Sequence, residues 1–235
     1  MCGRIALYSD PDRIARILEA QLTLDREGWG PSWNVGPTDP ILGVSEDDHG
    51  IRSLSAYRWG LLPVGAKDPK QSARAFNARS ETVATKPTFR SAFRRGRVLV
   101  PVDGFFEWRT EGKVKTPSFF TRSDGQLLVF AGLREWWRSP AGEVIRSATI
   151  ITAAAGPDMG DIHDRMPVVL EQETWEHWLD PAVSNRDELE PLLVPARAGT
   201  LIHYQVDRAV GNVRNNGPEL IEAVDDRQPP LGISP

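Results

Sequence analysis

Met1 is followed directly by Cys2, a residue small enough to permit removal of the initiator methionine. The product is a 1,2-aminothiol. Its α-amine has a pKa of about 7.7–8.0, so roughly a tenth is neutral and nucleophilic at pH 7, far more than for a lysine. Such an amine attacks aldehydes, and the imine it forms lies within reach of the tethered thiol. Closure then gives a five-membered thiazolidine. By position alone the residue reads equally well as a small buried hydrophobe, so the decision falls to the strings that follow it.

Five of them stand in order: MCGR at 1–4, FNARSET at 76–82, VPVDGFFEW at 100–108, DIHDRMP at 161–167 and AVGNVRNNGPELI at 209–221. Together they resemble the SRAP family of SOS-response-associated, abasic-site-processing proteins, over nearly the whole chain. The resemblance implies a partner, single-stranded DNA carrying an abasic site, and a product, a covalent protein–DNA adduct. Cys2 matches the family nucleophile. Asn77 matches an asparagine that orients the reacting sugar or the cysteine backbone, although an Asn here could simply cap its own turn. Glu107 matches the catalytic glutamate; among Phe105, Phe106 and Trp108 a carboxylate is costly unless paired, so either a proton-transfer role or a structural salt bridge would explain it. His163 matches the catalytic histidine, suited to protonating the ring oxygen of a closed hemiacetal sugar so that the aldehyde is exposed.

For DNA the resemblance points to Arg4, Arg79 and Arg165 as phosphate contacts and to Pro37 as a wedge beside a flipped-out site. Arg165, next to Asp164, is also open to an internal ion pair. The chain departs from the family at Val64 and Gly65, where many members carry a stacking aromatic, and at Gly96, where many carry a second cysteine. Loss of a stacked base removes roughly 1–3 kcal/mol unless another of the eight tryptophans substitutes. Two other readings remain: an N-terminal-nucleophile thiol peptidase or amidohydrolase, and a non-catalytic single-strand binding module with a structural cysteine.

The elements that must position these residues are mostly strands. Apolar segments at 98–102, 105–108, 117–121, 127–133, 145–152 and 166–170 are punctuated by Gly and Pro. Asp10-Pro11 with Ile14, Ile17 and Leu18 predicts a helix over 11–22; shorter helices are expected around 87–93 and over 174–179. This pattern fits an antiparallel α+β domain, and the resemblance implies a barrel-like β core with short flanking helices. One domain over 1–225 and a loose tail over 226–235 are expected.

At 235 residues, 40% hydrophobic and 26% charged, the chain is long enough for one sizeable core. A single cysteine allows no internal disulfide and no multi-thiolate metal site, and His49, His163, His177 and His203 lack ligand spacing. No cofactor, no membrane span and no secretory signal are expected, and the chain reads as a cytoplasmic monomer that reaches the nucleoid when bound to DNA. Any replication-fork partners are not written in these residues. The net charge of −4 argues against bulk coating of nucleic acid, yet the run KPTFRSAFRRGR at 86–97 holds five basic residues and no acid. Taken alone, that run reads as a solvated helix face.

Overall fold

The computed structural model describes residues 2–25, 29–139, 141–160 and 162–224; the expected tail over 226–235 lies outside the described residues. The strands are, in chain order, β1 (Ile5–Leu7), β2 (Gln21–Leu22), β3 (Ser32–Val35), β4 (Pro40–Glu46), β5 (Arg52–Trp59), β6 (Asn77–Arg79) and β7 (Arg97–Val102). They continue with β8 (Gly104–Glu111), β9 (Val114–Arg122), β10 (Leu128–Arg138), β11 (Val144–Ala154), β12 (Arg165–Pro167) and β13 (Leu201–Gln205). Four α-helices accompany them among the described residues: α1 (Pro11–Ile17), α2 (Arg90–Arg95), α3 (Gln172–Leu179) and α4 (Arg186–Leu189).

Strands β11, β10, β7, β4 and β5 pair in that order, and a parallel pairing of β5 with β11 at Arg58–Ser147 and Trp59–Ala148 closes them into a five-stranded barrel. A closed ring leaves few unpaired backbone edges. A second sheet, ordered β13-β9-β8-β1-β3, packs its inward face on the barrel. The fold is therefore α+β with a barrel core, and its pairings are antiparallel apart from β2–β5, β5–β11 and β6–β11.

Side-chain alternation assigns the cores. Along β7, Val98, Val100 and Val102 point into the cluster that also holds Cys2, Trp59, Phe105 and Phe130, whereas Leu99 joins the cluster under the helices with Leu18, Phe93 and Trp178. Space inside the barrel is tight. A β-carbon at Gly132 would lie 2.8 Å from Val100 Cγ2 and 3.0 Å from both Val98 Cγ1 and Thr149 O, so only glycine fits.

The helix expected over 11–22 is shorter, ending at Ile17: Leu18 buries itself, Glu19 turns left-handed at φ 52°, and the chain enters β2. The strand expected over 166–170 is likewise short, ending at Pro167, with Val169 making one isolated bridge to Phe130. No helix among the described residues is long and apolar enough to cross a membrane.

Candidate active site

The amino-terminal residues run alongside β8. Ile5 pairs with Phe105 and Ala6 with Gly104, and Phe106 N–H donates to Arg4 O at 2.9 Å. Continued one step, the antiparallel register sets Gly3 opposite Glu107, and the charge of Glu107 is felt at the neighbouring Cys2. Glu107 shares its strand face with Phe105, whose ring belongs to the same cluster as Cys2, while Phe106 and Trp108 face the opposite side. Both Cys2 and Glu107 are buried.

Burial decides their protonation. Desolvation pushes the Cys2 thiol well above the usual thiol range, and the negative charge of Glu107 adds to the rise. Desolvation likewise lifts the Glu107 carboxyl to about 7. The charge of Glu107 acts on the Cys2 thiol, and that of Asp164 acts on both Glu107 and His163, so these side chains share one electrostatic neighbourhood.

Asn77 opens β6 and donates from Nδ2 to Cys2 O at 2.6 Å. Its Oδ1 is buried with no hydrogen-bond partner among the described residues. The strand carrying it is fixed from behind: Phe76 O accepts from Trp59 Nε1 at 2.9 Å and from Ile150 N at 3.1 Å. Of the two sequence expectations for this asparagine, holding the cysteine backbone matches the geometry.

His163 lies between β11 and β12. Its Nδ1 is 3.0 Å from Arg165 N and 2.9 Å from Asp164 Oδ1, contacts that ask opposite things of the same nitrogen. An N–H pointing at Nδ1 needs a neutral ring, and an ion pair needs a protonated one. Burial lowers the pKa of His163, and Asp164 is largely exposed, so the neutral ring with Nδ1 accepting from Arg165 N–H is the resting form. That leaves Nε2–H as the donor.

The arginines divide. Arg165 is buried, with Nη1 and Nη2 on Glu81 Oε1 and Oε2 at 2.9 and 3.0 Å and further bonds to Thr152 Oγ1 and O. Its partner is Glu81, not Asp164. This bidentate pair ties β12 to the turn after β6 and engages the guanidinium for which a phosphate contact was expected. Arg4 is likewise engaged, from Nη1 to Asn34 Oδ1 at 2.8 Å and Val210 O at 3.3 Å. Arg79 alone of the three is exposed. Glu81 and Asn34 were not singled out as site residues in the sequence; Glu81 stands inside FNARSET, but nothing in its spacing reveals its partner.

Pro37 is half-buried at the turn between β3 and β4, braced by Gly36 N–H on Asp39 Oδ2 at 2.8 Å and followed by Thr38 at φ 81°, a left-handed value costly for a β-branched residue. Val64 is 73% exposed, so no aromatic surface is offered there. Trp137 lies beneath that turn, donating from Nε1 to Ala66 O at 2.8 Å, and the half-exposed Trp136 is covered by the Arg146 guanidinium 4.8 Å from its ring centroid. At Gly96 a β-carbon would collide with Arg134 O, a close approach of backbone that glycine permits in this chain. Among the described residues no three His, Cys, Asp or Glu side chains come together to hold a metal ion.

The model of the family described as SOS response associated peptidase (SRAP) matches residues 1–213. The chain belongs to the SRAP family. Among its SRAP relatives, the abasic site processing protein YoqW of Bacillus subtilis is 41% identical over 224 residues, covering 95% of this chain and 100% of that one. YedK of Escherichia coli, also named an abasic site processing protein, is 35% identical, covering 95% and 100%. The same name is carried by HMCES of Xenopus tropicalis, 31% identical over 95% of this chain and 78% of its own length. The solved structure of a Bacteroides thetaiotaomicron protein shares the SRAP fold at a TM-score of 0.85 with 23% identity, covering 95% of this chain and 100% of that one.

Proposed function

We propose that this SRAP protein processes abasic sites in single-stranded DNA by forming a thiazolidine between Cys2, freed of Met1, and the ring-opened sugar. The observation that carries the reading is the buried Glu107 carboxyl, lifted to about 7 on the strand face it shares with the Cys2 cluster. A carboxyl at that value both accepts and returns a proton near neutral pH.

The sequence begins at the sugar. The doubly protonated ring of His163, its Nδ1–H on Asp164 Oδ1, gives the Nε2 proton to the ring oxygen while the C1′ hydroxyl proton passes to water, opening the hemiacetal to the aldehyde. Glu107 takes a proton from the Cys2 ammonium, and the freed amine adds to C1′ to give a carbinolamine. Protonation of its hydroxyl by Glu107 releases water and leaves a protonated imine. Sulfur then adds to the imine carbon while the thiol proton passes to the Glu107 carboxylate. Asn77 holds the Cys2 carbonyl throughout, with its Oδ1 facing the same neighbourhood. Amine attack comes first because a thiol pushed up by burial is a poor thiolate at neutral pH, which also favours this route over a thiol-peptidase mechanism. Arg79 and Pro37 are the DNA contacts on this reading, with Arg4 and Arg165 holding the frame. A monomer working in the cytoplasm on nucleoid DNA fits the chemistry, and no metal or organic cofactor enters any step.

The test is to incubate Met1-processed protein with a single strand bearing one abasic site and to run a denaturing gel beside Cys2→Ala and Met1-retained protein. A heat-stable shifted band from processed wild type alone is expected. No band from processed protein would overturn the reading.

A further inference from the structure

The basic run at 86–97 is not a uniform solvated face. Its last member, Arg97, is buried and bonded on every side: Nε donates to Trp178 O, Nη1 to Phe93 O and Arg94 O at 3.0 and 2.8 Å, and Nη2 to Asp180 O and Val183 O. These five bonds pin the carboxyl end of α2 to the segment after α3. Burial lowers the Arg97 pKa to about 10, so it stays charged at neutral pH.

Between the two pinned segments lies a cavity of about 390 Å³ lined by Phe93, Arg94, Arg95, Ser184, Asn185 and Arg186, and next to it one of about 420 Å³ lined by Arg90, Ser91, Arg94 and Arg95. Arg90, Arg94 and Arg95 are exposed and form no ion pair with any described carboxylate, whereas Arg186 is paired with Glu190 at 2.6 Å. Three unneutralised guanidinium groups on a six-residue helix repel one another. The arrangement becomes favourable when an anion occupies the cavities, and planar guanidinium forks suit phosphate oxygens. Ser184 and Asn185 add neutral polar groups on the opposite wall.

We propose that this cleft is a second nucleic-acid contact, in which Arg90, Arg94 and Arg95 hold backbone phosphates of the single strand away from the lesion. The inference rests on the reading of the protein as one that acts on DNA strands, because a strand held at Cys2 supplies the anion. Phosphate contacts of this kind give affinity and salt dependence without reading sequence.

The experiment measures polarisation of an undamaged single strand of about 30 nucleotides across a potassium chloride series, for wild type and for Arg90→Glu/Arg94→Glu/Arg95→Glu. Covalent capture of an abasic strand of about 5 nucleotides is followed in parallel. The charge-reversed protein is expected to bind the long strand at least about tenfold more weakly at low salt, with a slope of log K on log salt shallower by roughly 2, while still capturing the short strand. Equal long-strand affinity and slope in the two proteins would overturn the inference. So would weaker binding accompanied by a lowered melting temperature, unless Arg90→Gln/Arg94→Gln/Arg95→Gln, melting as wild type, shows the same shallower slope. If neither protein captures the short strand but the slope still drops, the covalent reading fails and the second contact stands.

Discussion

Glu107 makes the pH dependence of this protein legible at the level of one carboxyl. Its folded pKa of about 7 stands above the ordinary 4.5, so between those values the folded chain keeps a proton that the unfolded chain has released. Stability therefore falls as pH rises through that window and is lowest above it, by roughly 3 kcal/mol at 1.36 kcal/mol per unit. Glu107→Gln, which cannot ionise, should match wild type near about pH 4 and exceed it by up to about 3 kcal/mol near about pH 8. Thermal melts at both ends of that range check this; a difference independent of pH would mean that Glu107 titrates as an ordinary surface carboxyl. The family resemblance pointed to this carboxyl, and the three aromatics around it added a local signal that its charge is costly there. Arg165 was the opposite case. Its adjacent Asp164 suggested one ion pair, but the actual partner, Glu81, is distant in sequence and reached only through the pairing of β11 with both β6 and β12.

Among the elements, β3 and the segment at 209–217 are joined by one side chain. Asn34 is buried, and its Nδ2 donates to Val210 O at 3.3 Å, Asn212 O at 3.0 Å and Asn215 O at 2.8 Å while its Oδ1 accepts from Arg4. Asn216 Oδ1 returns the bond by accepting Trp33 N–H at 2.8 Å. The AVGNVRNNGPELI string thus has a structural explanation: it braces the strand beside the amino terminus. Asn34→Ala removes all of these amide bonds, taking the donor from Asn212 O and Asn215 O and leaving Arg4 only its backbone-carbonyl contacts, which should cost about 2–4 kcal/mol. Amide exchange within 209–217 should quicken more than exchange in the barrel strands, and unchanged exchange there would show that the brace does not matter. None of this was visible in spacing, since 176 residues separate Asn34 from Val210. Helix ends were missed for a related reason. Ile17 and Leu18 continue the helical period, but the left-handed turn at Glu19 is set by the need to feed β2 into the parallel pairing with β5.

Across the whole molecule, the barrel was inferable as a class but not as a closure. Alternating apolar segments announce strands, yet β3, β4, β5 and β13 carry enough polar residues to hide among loops, β1 is only three residues long, and the parallel seam between β5 and β11 joins segments about 90 residues apart with no local mark. Closure has an energetic consequence. The barrel strands are shared property of the two large cores: Leu99 packs with Trp178 under the helices, and its neighbours Val98 and Val100 pack with Trp59 inside the barrel. Neither core can lose its packing without pulling apart strands that the other requires, so unfolding should be a single cooperative transition. Denaturant curves of Trp59→Phe and Trp178→Phe, each read by the remaining tryptophan fluorescence and by far-ultraviolet circular dichroism, should coincide within each protein. Two separated transitions in either variant would mean that the helical side and the barrel fold as independent units, and the active site, whose residues come from β6, β8 and the turn before β12, would then be assembled by the barrel side alone.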